Sequence, residues 1–313
     1  MERQAMVRPL SDTHPTPHAI GRYLIDLPEG AQLGAWSQVF QGTGPIRMAR
    51  EITPEQFKKI TEQRAAELNA IAHMEGGTRL EKVIDFSLPC AQAIVYWPDF
   101  WSRKKRLFIE CDAYYLLNGC LYSFRNSIDL DPTEQAKYFR GFEAMLRSIH
   151  PRRPDEIPTA PGSCFDHSIL HDGPDRDYSE IVMAEAVWPD RPDVRFSFSI
   201  IDNGPNPDPP LLTRLARKKI LEGPGVLRSG NRKVGNIEGQ EHLERVTQEN
   251  GTEGHLFIWE AQGLPNRWDL PQIRIEMTTG IGRKAPQDAS LDDQDALALW
   301  DGIIGSWRWR PTR

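Results

Sequence analysis

The sequence lacks the features of membrane-spanning chains and of the common enzyme classes. None of its apolar runs approaches the roughly 20 residues that a bilayer-spanning helix needs, so we expect no transmembrane segment. It contains no Gly-x-Ser-x-Gly nucleophile motif, no His-Glu-x-x-His zinc motif and no Walker A loop. We therefore predict that the protein is not an enzyme and holds no cofactor and no metal.

Cysteine is also scarce. The chain has four cysteines, at Cys90, Cys111, Cys120 and Cys164. They form no Cys-x-x-Cys pair, which argues against a zinc ribbon or a thioredoxin-type site. The sequence leaves open whether they are buried thiols or disulfides. A tight turn at Asn118 and Gly119 would place Asn126 opposite Cys111, so we do not expect Cys111 to pair with Cys120.

An excess of positive charge is absent as well. The chain has 38 basic and 44 acidic side chains, a net charge of -6, which argues against a nucleic-acid partner. The first 156 residues carry 20 basic and 20 acidic side chains, and the remaining residues carry 18 and 24. The negative excess therefore lies in the C-terminal half.

Length and composition predict a globular protein of two domains. The 313 residues are 39% hydrophobic and 26% charged, and domains commonly have about 150 residues. Four prolines fall between Pro151 and Gly162, a polar stretch that suits neither a helix nor a central strand. We therefore predict a flexible tail over residues 1–19, an N-terminal domain over residues 20–156 and a C-terminal domain over residues 157–313.

Both halves show a similar order of helix and strand signals. Thr53, Pro54 and Gln56 form a helix start with a capping box, and Asp131 and Asp292 each begin a later helix. The segments around those two later helices resemble each other, 130–134 with 291–295 and 148–152 with 306–310. Any two amphipathic helices share such caps, so a chance similarity is the alternative explanation. The shared order of elements in the two halves argues against that alternative. We predict an α+β fold with two similar domains, each an antiparallel sheet packed by helices, that arose by internal duplication.

One cluster suggests a metal site. His167 and His171 lie four residues apart within Asp166–Asp177, a stretch rich in aspartate. On a helix the two imidazoles would face the same metal ion, which would make the chain a metal-dependent hydrolase. The alternative is a short strand that enters a solvated acidic loop, and Gly173 with Pro174 favours this alternative because it stops a helix.

Three loops suggest contact with a partner. Large aromatic and arginine side chains are common anchors at interfaces, and proline-stiffened loops lose little entropy on binding. The candidate partner-binding residues are Trp97, Phe100, Trp101, Arg103, Trp188, Asp190, Arg191, Asn203, Asn206 and Asp208. The basic run from Trp97 to Arg106 would also suit a peripheral module that binds anionic lipid. The tryptophans could equally pack under the loop as a small core.

The C-terminal half resembles a known family. The motifs that carry the resemblance are Trp188–Asp193, Gly239–Glu241, Phe257–Glu260 with Gly263, Ile275–Gly280, and Leu299–Ser306 with Arg308, Arg310 and Pro311. Over about Gly162–Pro311 they are similar to the C-terminal domain of the type VI secretion lipase immunity proteins. The N-terminal half fits the companion domain of that family by element order more than by motif.

This resemblance implies a periplasmic protein that binds and inhibits a cognate phospholipase effector. Members of the family look like two-domain clamps that keep the lid and active-site cleft of the lipase from opening onto lipid. The resemblance implies a one-to-one heterodimer and transfers no catalytic residue. Family precursors carry a secretion or lipoprotein signal, so we expect such a signal to have been removed here, with membrane tethering through it as one possibility.

Overall fold

The computed structural model describes residues 14–40, 44–98, 108–153, 155–173, 179–202, 208–218, 220–221, 223–264, 267–280 and 285–312. These residues form two units. Unit 1 comprises Met1–Trp36, Pro154–Asp166 and Ser179–Arg313, and unit 2 comprises Ser37–Arg153 and His167–Tyr178. The predicted α+β class, with antiparallel sheets and helices in two domains, is confirmed.

The described part of the chain forms the following helices and strands. In chain order they are β1 (Thr16–Ile20), β2 (Tyr23–Leu27), β3 (Gln32–Phe40), β4 (Arg47–Ala49), α1 (Pro54–Ala70), β5 (Leu80–Asp85), β6 (Ala91–Tyr96), β7 (Phe108–Leu117), β8 (Cys120–Asp129), α2 (Pro132–Arg147), β9 (Ile149–Pro151), β10 (Gly162–Phe165), β11 (Ser168–His171), β12 (Glu180–Trp188), β13 (Arg191–Ile201), α3 (Leu211–Arg217), β14 (Val226–Val234), β15 (Ile237–Thr247), β16 (Glu253–Ala261), β17 (Gln272–Thr279), α4 (Asp293–Gly305) and β18 (Arg308–Trp309).

Unit 2 is built on a five-stranded antiparallel sheet in the order β4-β8-β7-β6-β5. Helix α1 lies on one face of this sheet, where Phe57 packs with Leu116 and Leu121. Helix α2 lies on the opposite face, where Phe142 stacks edge-on against Phe124 at 4.6 Å between ring centroids. Because side chains alternate along a strand, Leu121 and Phe124 of β8 point to these opposite faces.

The predicted local signals of unit 2 are confirmed. The Thr53 hydroxyl accepts a hydrogen bond from the Gln56 amide at 3.2 Å, and the Gln56 side chain accepts one from the Thr53 amide at 2.8 Å. Asn118 and Gly119 form the turn between β7 and β8 with φ of 49° and 78°. The resulting register places Cys111 opposite Asn126, as the sequence predicts.

Unit 1 is built on a seven-stranded sheet in the order β14-β15-β16-β17-β13-β12-β3. Helix α4 and the hairpin of β1 and β2 join this sheet in one hydrophobic core. Trp300 and Trp307 are fully buried there, and Trp300 stacks on Phe196 at 5.9 Å. Helix α3 contacts β15 and lies near Glu260, which points to the side away from this core.

Each unit includes a short segment from the other half of the sequence. In unit 1, β2 pairs with β18, so that Tyr23 lies opposite Trp309, and Ile25 and Leu27 are fully buried. In unit 2, β11 pairs with β9. The two units are therefore not separated by a single cut at residue 157. Strand β2 comes from the N-terminal half, but its apolar side is buried in the core of unit 1.

The two halves share one order of elements. A strand, a helix, four strands, a helix and a short strand follow each other from β4 to β9 and again from β13 to β18. The sheet orders β4-β8-β7-β6-β5 and β13-β17-β16-β15-β14 also correspond, strand for strand. This correspondence supports an internal duplication, which stays a prediction.

Two segments differ from what their local sequence suggests. The stretch from Gln38 to Ile52 has the pattern of irregular extended chain, yet it contains the end of β3 and all of β4. These strands are specified by pairing with distant strands rather than by a local pattern. A proline-led helix pattern runs from Pro209 to about Leu221, but helix α3 covers only Leu211–Arg217.

All four cysteines are free thiols in this structure. Cys111 and Cys164 are buried, and Cys90 and Cys120 are partly exposed. Burial raises the pKa of the Cys111 thiol to about 12, with smaller contributions from Asp112 and Glu110. Cys111 is therefore protonated at neutral pH and a poor nucleophile.

Residues 157–313 alone should be much less stable than the same segment joined to residues 14–36 through a flexible linker. The shorter fragment lacks β1 and β2, and burial of each large apolar side chain contributes about 1.5–3 kcal/mol. Thermal unfolding followed by circular dichroism measures the difference. In the linked fragment, Ile25→Asp should abolish the gain in thermal stability, because it places a charge in the hydrophobic core. Equal stability of the two fragments would show that unit 1 does not depend on β2.

Candidate functional site

Unit 2 contains a pocket with three arginines around one buried carboxylate. The pocket has a volume of about 240 Å³ and lies between α1, β4, β7 and β8. Its lining residues are Pro45, Arg47, Arg64, Asp112, Tyr114, Ser123, Phe124 and Arg125. We call it the arginine pocket.

Asp112 fixes two of these arginines. Its side chain is 7% exposed, and its two oxygens accept hydrogen bonds from Nε of Arg64 at 2.8 Å and from Nε of Arg125 at 2.7 Å. The Tyr96 hydroxyl donates to the same carboxylate at 3.3 Å. The guanidinium groups of Arg64 and Arg125 lie 5.1 and 5.7 Å from the centroid of the Tyr96 ring, within the range of cation–π attraction.

The electrostatics follow from this geometry. The hydrogen bond to Asp112 raises the pKa of Arg125. Burial alone would lower the pKa of Arg64, but the charge and hydrogen bond of Asp112 outweigh it and raise that pKa. Burial, with the nearby Asp112 charge, raises the pKa of Tyr96 to about 12. Arg64 and Arg125 therefore stay charged, and Tyr96 stays neutral, at physiological pH.

Unit 1 has a different exposed feature, a loop between β16 and β17 that carries Leu264 and Trp268. We call it the tryptophan loop. These two side chains are 51% and 48% exposed, and the Leu264 amide donates to the Leu270 carbonyl at 2.8 Å, which closes the loop. An exposed tryptophan is a typical anchor for a protein partner.

An aromatic stack supports the tryptophan loop. Tyr23 stacks between Trp307 at 4.8 Å and Trp309 at 4.5 Å. Trp268 meets Trp309 edge-on at 6.1 Å, and the Arg22 guanidinium lies 5.3 Å from the centroid of the Trp268 ring. The exposed indole thus rests on a stack that reaches the buried core of unit 1.

The family-like motifs of the C-terminal half occupy structural positions. Glu241 is 5% exposed and binds Arg228 at 2.7 Å and Arg232 at 2.8 Å, and Asp301 of α4 binds the same two arginines. Burial opposes ionisation of Asp301, but the bonds from these arginines outweigh it and lower its pKa. The network ties α4 to the sheet.

Gly239 and Arg310 have equally structural roles. A side chain at Gly239 would meet the Trp259 ring at 2.6 Å, so only glycine lets that indole pack across the strand. Arg310 is 3% exposed and donates to the carbonyls of Ala160 at 2.9 Å and Gly162 at 2.6 Å, which holds the proline-rich segment in place. These motifs therefore identify a fold rather than a contact surface.

The candidate contact residues of the N-terminal half fall mostly outside the described part of the chain. Trp97 is 9% exposed and donates through Nε1 to Glu81 at 2.6 Å. Phe100, Trp101 and Arg103 lie outside the described residues. Trp97 is thus buried rather than available to a partner.

The C-terminal candidates divide in a similar way. Trp188 is fully buried against Phe196, and Arg191 is 7% exposed, so neither is available to a partner in this structure. Asp190, in the turn between β12 and β13, and Asp208, before α3, are exposed. Asn203 and Asn206 lie outside the described residues.

The suspected metal cluster lies on a short strand, the alternative that the sequence favours, and not on a helix. His167 precedes β11 and His171 ends it, and the ring of His171 stacks on His150 at 4.2 Å. Asp175 and Asp177 lie outside the described residues. Over the part of the chain that is described, no group of three or more potential ligands could hold a metal ion.

A triad-like arrangement in unit 1 is also structural. His255 lies 2.7 Å from the Thr279 hydroxyl and 3.0 Å from Asp293. Thr279 is fully buried, however, and its oxygen accepts a hydrogen bond from the His255 amide at 3.0 Å. A nucleophile without access to solvent cannot reach a substrate, so the arrangement positions the start of α4 instead.

The sequence analysis did not identify the arginine pocket or the tryptophan loop. Arg47, Arg64 and Arg125 are far apart in the chain, and only strand pairing together with the packing of α1 on the sheet brings them to one pocket. The tryptophan loop had a visible signal, since a leucine and a tryptophan fall between two strands near a proline. Among the described helices, none is long and apolar enough to cross a membrane.

Comparison with known families gives two matches. The model of the Tle cognate immunity protein 4 N-terminal domain matches residues 16–144, and that of the C-terminal domain matches residues 156–312. No curated protein matches the chain.

Three solved structures are similar to this chain. The apo immunity protein TplEi of the type VI secretion system (T6SS) from Pseudomonas aeruginosa is 26% identical, with a TM-score of 0.80 over 97% of this chain and 100% of that one. The Tle4-Tli4 complex matches with 26% identity and a TM-score of 0.80 over 96% of this chain and 98% of that one. TplEi complexed with "L" peptide matches with 25% identity and a TM-score of 0.75 over 95% and 99%.

The substitution Asp112→Asn should lower the free energy of unfolding by about 1–3 kcal/mol, because an amide nitrogen would face an arginine donor in a buried position. Urea denaturation measures this loss. Glu62→Gln, the same change of charge at an exposed position of α1, should cost less than about 0.5 kcal/mol. Equal effects of the two substitutions would contradict a special role for Asp112.

Proposed function

The chain belongs to the Tle cognate immunity protein 4 family, and from this membership we propose that it binds and inhibits a Tle-type phospholipase effector of a type VI secretion system. The observation that carries the proposal is the extent of the match. The two family models together account for residues 16–144 and 156–312, and the Tle4-Tli4 complex aligns over 96% of the chain. Similarity along the whole chain supports a shared role more strongly than similarity of one domain.

Both units would contact the effector. Each has its own core and presents a candidate contact feature, the arginine pocket in unit 2 and the tryptophan loop in unit 1. A stable protein complex usually buries about 1,600 Å². Two linked binding units also gain effective concentration once one has bound, so their joint affinity exceeds that of either alone.

Inhibition would work by exclusion rather than by chemistry. The described residues that resemble a catalytic triad include a fully buried threonine, and family membership points to a protein that is not an enzyme. We infer that the bound chain clamps the effector as a one-to-one heterodimer and prevents its lid or active-site cleft from opening onto lipid. Exposed Asp190 and Asp208 remain candidate contacts.

The proposed site of action is the periplasm. An effector delivered by a neighbouring cell would meet its phospholipid substrate there, and the family resemblance implies a chain exported to the same compartment. Membrane tethering through a lipoprotein signal would keep the protein near the membrane that it protects. Localisation of an epitope-tagged full-length protein by cell fractionation tests this inference.

Purified chain should inhibit the Tle-type phospholipase of the same genome stoichiometrically. Activity on phospholipid vesicles should fall linearly with added chain and vanish near one equivalent, since an inhibitor at this interface size commonly binds tightly. Separation of the complex in mild denaturant should return active, chemically unchanged effector. Loss of activity at far lower ratios of chain to effector would instead indicate enzymatic inactivation.

Trp268→Ala should weaken binding of the same effector about ten-fold or more, because exposed tryptophans at interfaces often contribute 2 kcal/mol or more. Isothermal titration calorimetry measures the affinity. Met183→Ala serves as the matched control, since Met183 is an apolar side chain of unit 1 with 41% exposure and lies outside the aromatic stack. An unchanged affinity for the tryptophan variant would remove this loop from the interface.

A further inference from the structure

The arginine pocket contains cationic groups that its own carboxylate does not neutralise. Three arginines and one aspartate line it, which leaves an excess of two positive charges. Arg64 donates to Asp112 through Nε, whereas Arg125 donates through Nε at 2.7 Å and through one terminal nitrogen at 3.4 Å. The other terminal nitrogen of Arg125 is not used by Asp112, and the Arg125 side chain is 62% exposed. Arg47 is exposed and has no ion-pair partner among the described residues.

Unit 1 contains the equivalent arrangement with an additional carboxylate. There Glu260 of β16 binds Arg214 of α3 at 2.7 Å and also binds Arg274 of β17. Glu260 lies opposite Arg274 in the sheet, as Asp112 lies opposite Arg125. A helix arginine, a strand carboxylate and an arginine of the next strand therefore recur at corresponding places.

The difference between the two arrangements indicates which chemical group would suit the arginine pocket. In unit 1 a second nitrogen of Arg274 donates to Glu276 at 2.6 Å, two residues along β17. In unit 2 the residue two positions after Arg125 is Ser127, whose hydroxyl donates to Glu110 at 3.0 Å. The strand arginine of unit 2 thus lacks the second carboxylate that its counterpart binds on its own strand.

Two other acids lie near the pocket without lining it. Glu110 accepts the bond from Ser127, and its charge contributes to the raised pKa of Arg125. Glu67 of α1 lies 3.7 Å from a terminal nitrogen of Arg64 and is 50% exposed. Both reduce the local positive potential, but neither occupies the space between Arg47 and Arg125.

The size of the pocket limits what can enter. Its volume of about 240 Å³ is below the 300–1,000 Å³ typical of sites for drug-sized ligands, which suits a single side chain. Planar guanidinium groups with free N–H edges bind carboxylates through paired hydrogen bonds. The excess positive charge of the pocket favours a carboxylate ligand. The bond between Arg274 and Glu276 at the corresponding place in unit 1 favours the same group.

We propose that the arginine pocket of unit 2 binds a carboxylate side chain, aspartate or glutamate, of the effector. The inference rests on the proposed function, because it takes the partner to be a protein. Arg47 and Arg125 bind the carboxylate, and Asp112 acts as a positioning residue that holds Arg64 and Arg125. This pairing adds to specificity as well as affinity.

The test compares two charge reversals in the full chain, measured by calorimetry against the Tle-type phospholipase of the same genome. Arg47→Glu should reduce affinity about ten-fold or more, since it removes a cation and supplies a competing carboxylate. Arg140→Glu, the same reversal at an exposed position of α2 on the opposite sheet face, should change affinity less than about two-fold. Both variants should unfold at the wild-type temperature.

A second variant reaches the pocket from another strand. Ser123 lies on β8 opposite Arg47 and lines the pocket, so Ser123→Glu should place a carboxylate there and cause a similar loss of affinity. Wild-type affinity in both pocket variants would overturn the proposal and leave the proposed function intact. Failure of the wild-type chain to bind the effector would instead overturn the proposed function.

Sedimentation with phosphatidylglycerol vesicles separates a lipid ligand from a protein ligand. We expect the wild-type chain and the Arg47→Glu variant to co-sediment with these vesicles to the same extent. If Arg47→Glu lost vesicle binding but kept full affinity for the effector, the pocket would be assigned to a phosphate headgroup and the carboxylate proposal would be wrong.

Discussion

The contact between one strand carboxylate and two arginines organises one face of each sheet, the face of α1 in unit 2 and the face of α3 in unit 1. Asp112 and Glu260 each bind an arginine from the preceding helix and an arginine from the next strand. A buried carboxylate is costly without partners, so each acid fixes the position of the helix that supplies its arginine. On the opposite side of the sheet in unit 1, α4 is held by the hydrophobic core together with the bonds of Asp301 to Arg228 and Arg232.

This constraint also explains why corresponding positions can differ in function. In unit 1 the arrangement is completed internally by Glu276, whereas in unit 2 it borders a pocket. The folding role needs only the first carboxylate and the two arginines. A second acid, such as Glu276 in unit 1, therefore changes the charge of the surface but is not needed to hold the helix. Its position can then differ between the units, and in unit 2, where Ser127 takes its place, we propose a role in recognition.

Local signals in the sequence predicted the local structure well. The capping box at Thr53 and the turn at Asn118 and Gly119 agree with the structure, because each depends on neighbouring residues. The division of the chain into units depended on distant contacts instead. Nothing near Ile25 indicates that its side chain is buried beside residues almost 300 positions later. The arginine pocket was missed for the same reason.

The residues that identify the family differ from the residues that would select a partner. Motif residues such as Gly239, Glu241 and Arg310 are restricted by packing within the chain, so they identify a family whatever its partner. The chain shares 26% identity with TplEi at a TM-score of 0.80, so most positions differ while the backbone path is kept. Contacts with a partner have no such internal restriction. Partner choice within a common fold must therefore depend on exposed positions, which fold-determining motifs cannot reveal, and the arginine pocket and the tryptophan loop are the exposed positions that we propose for this chain.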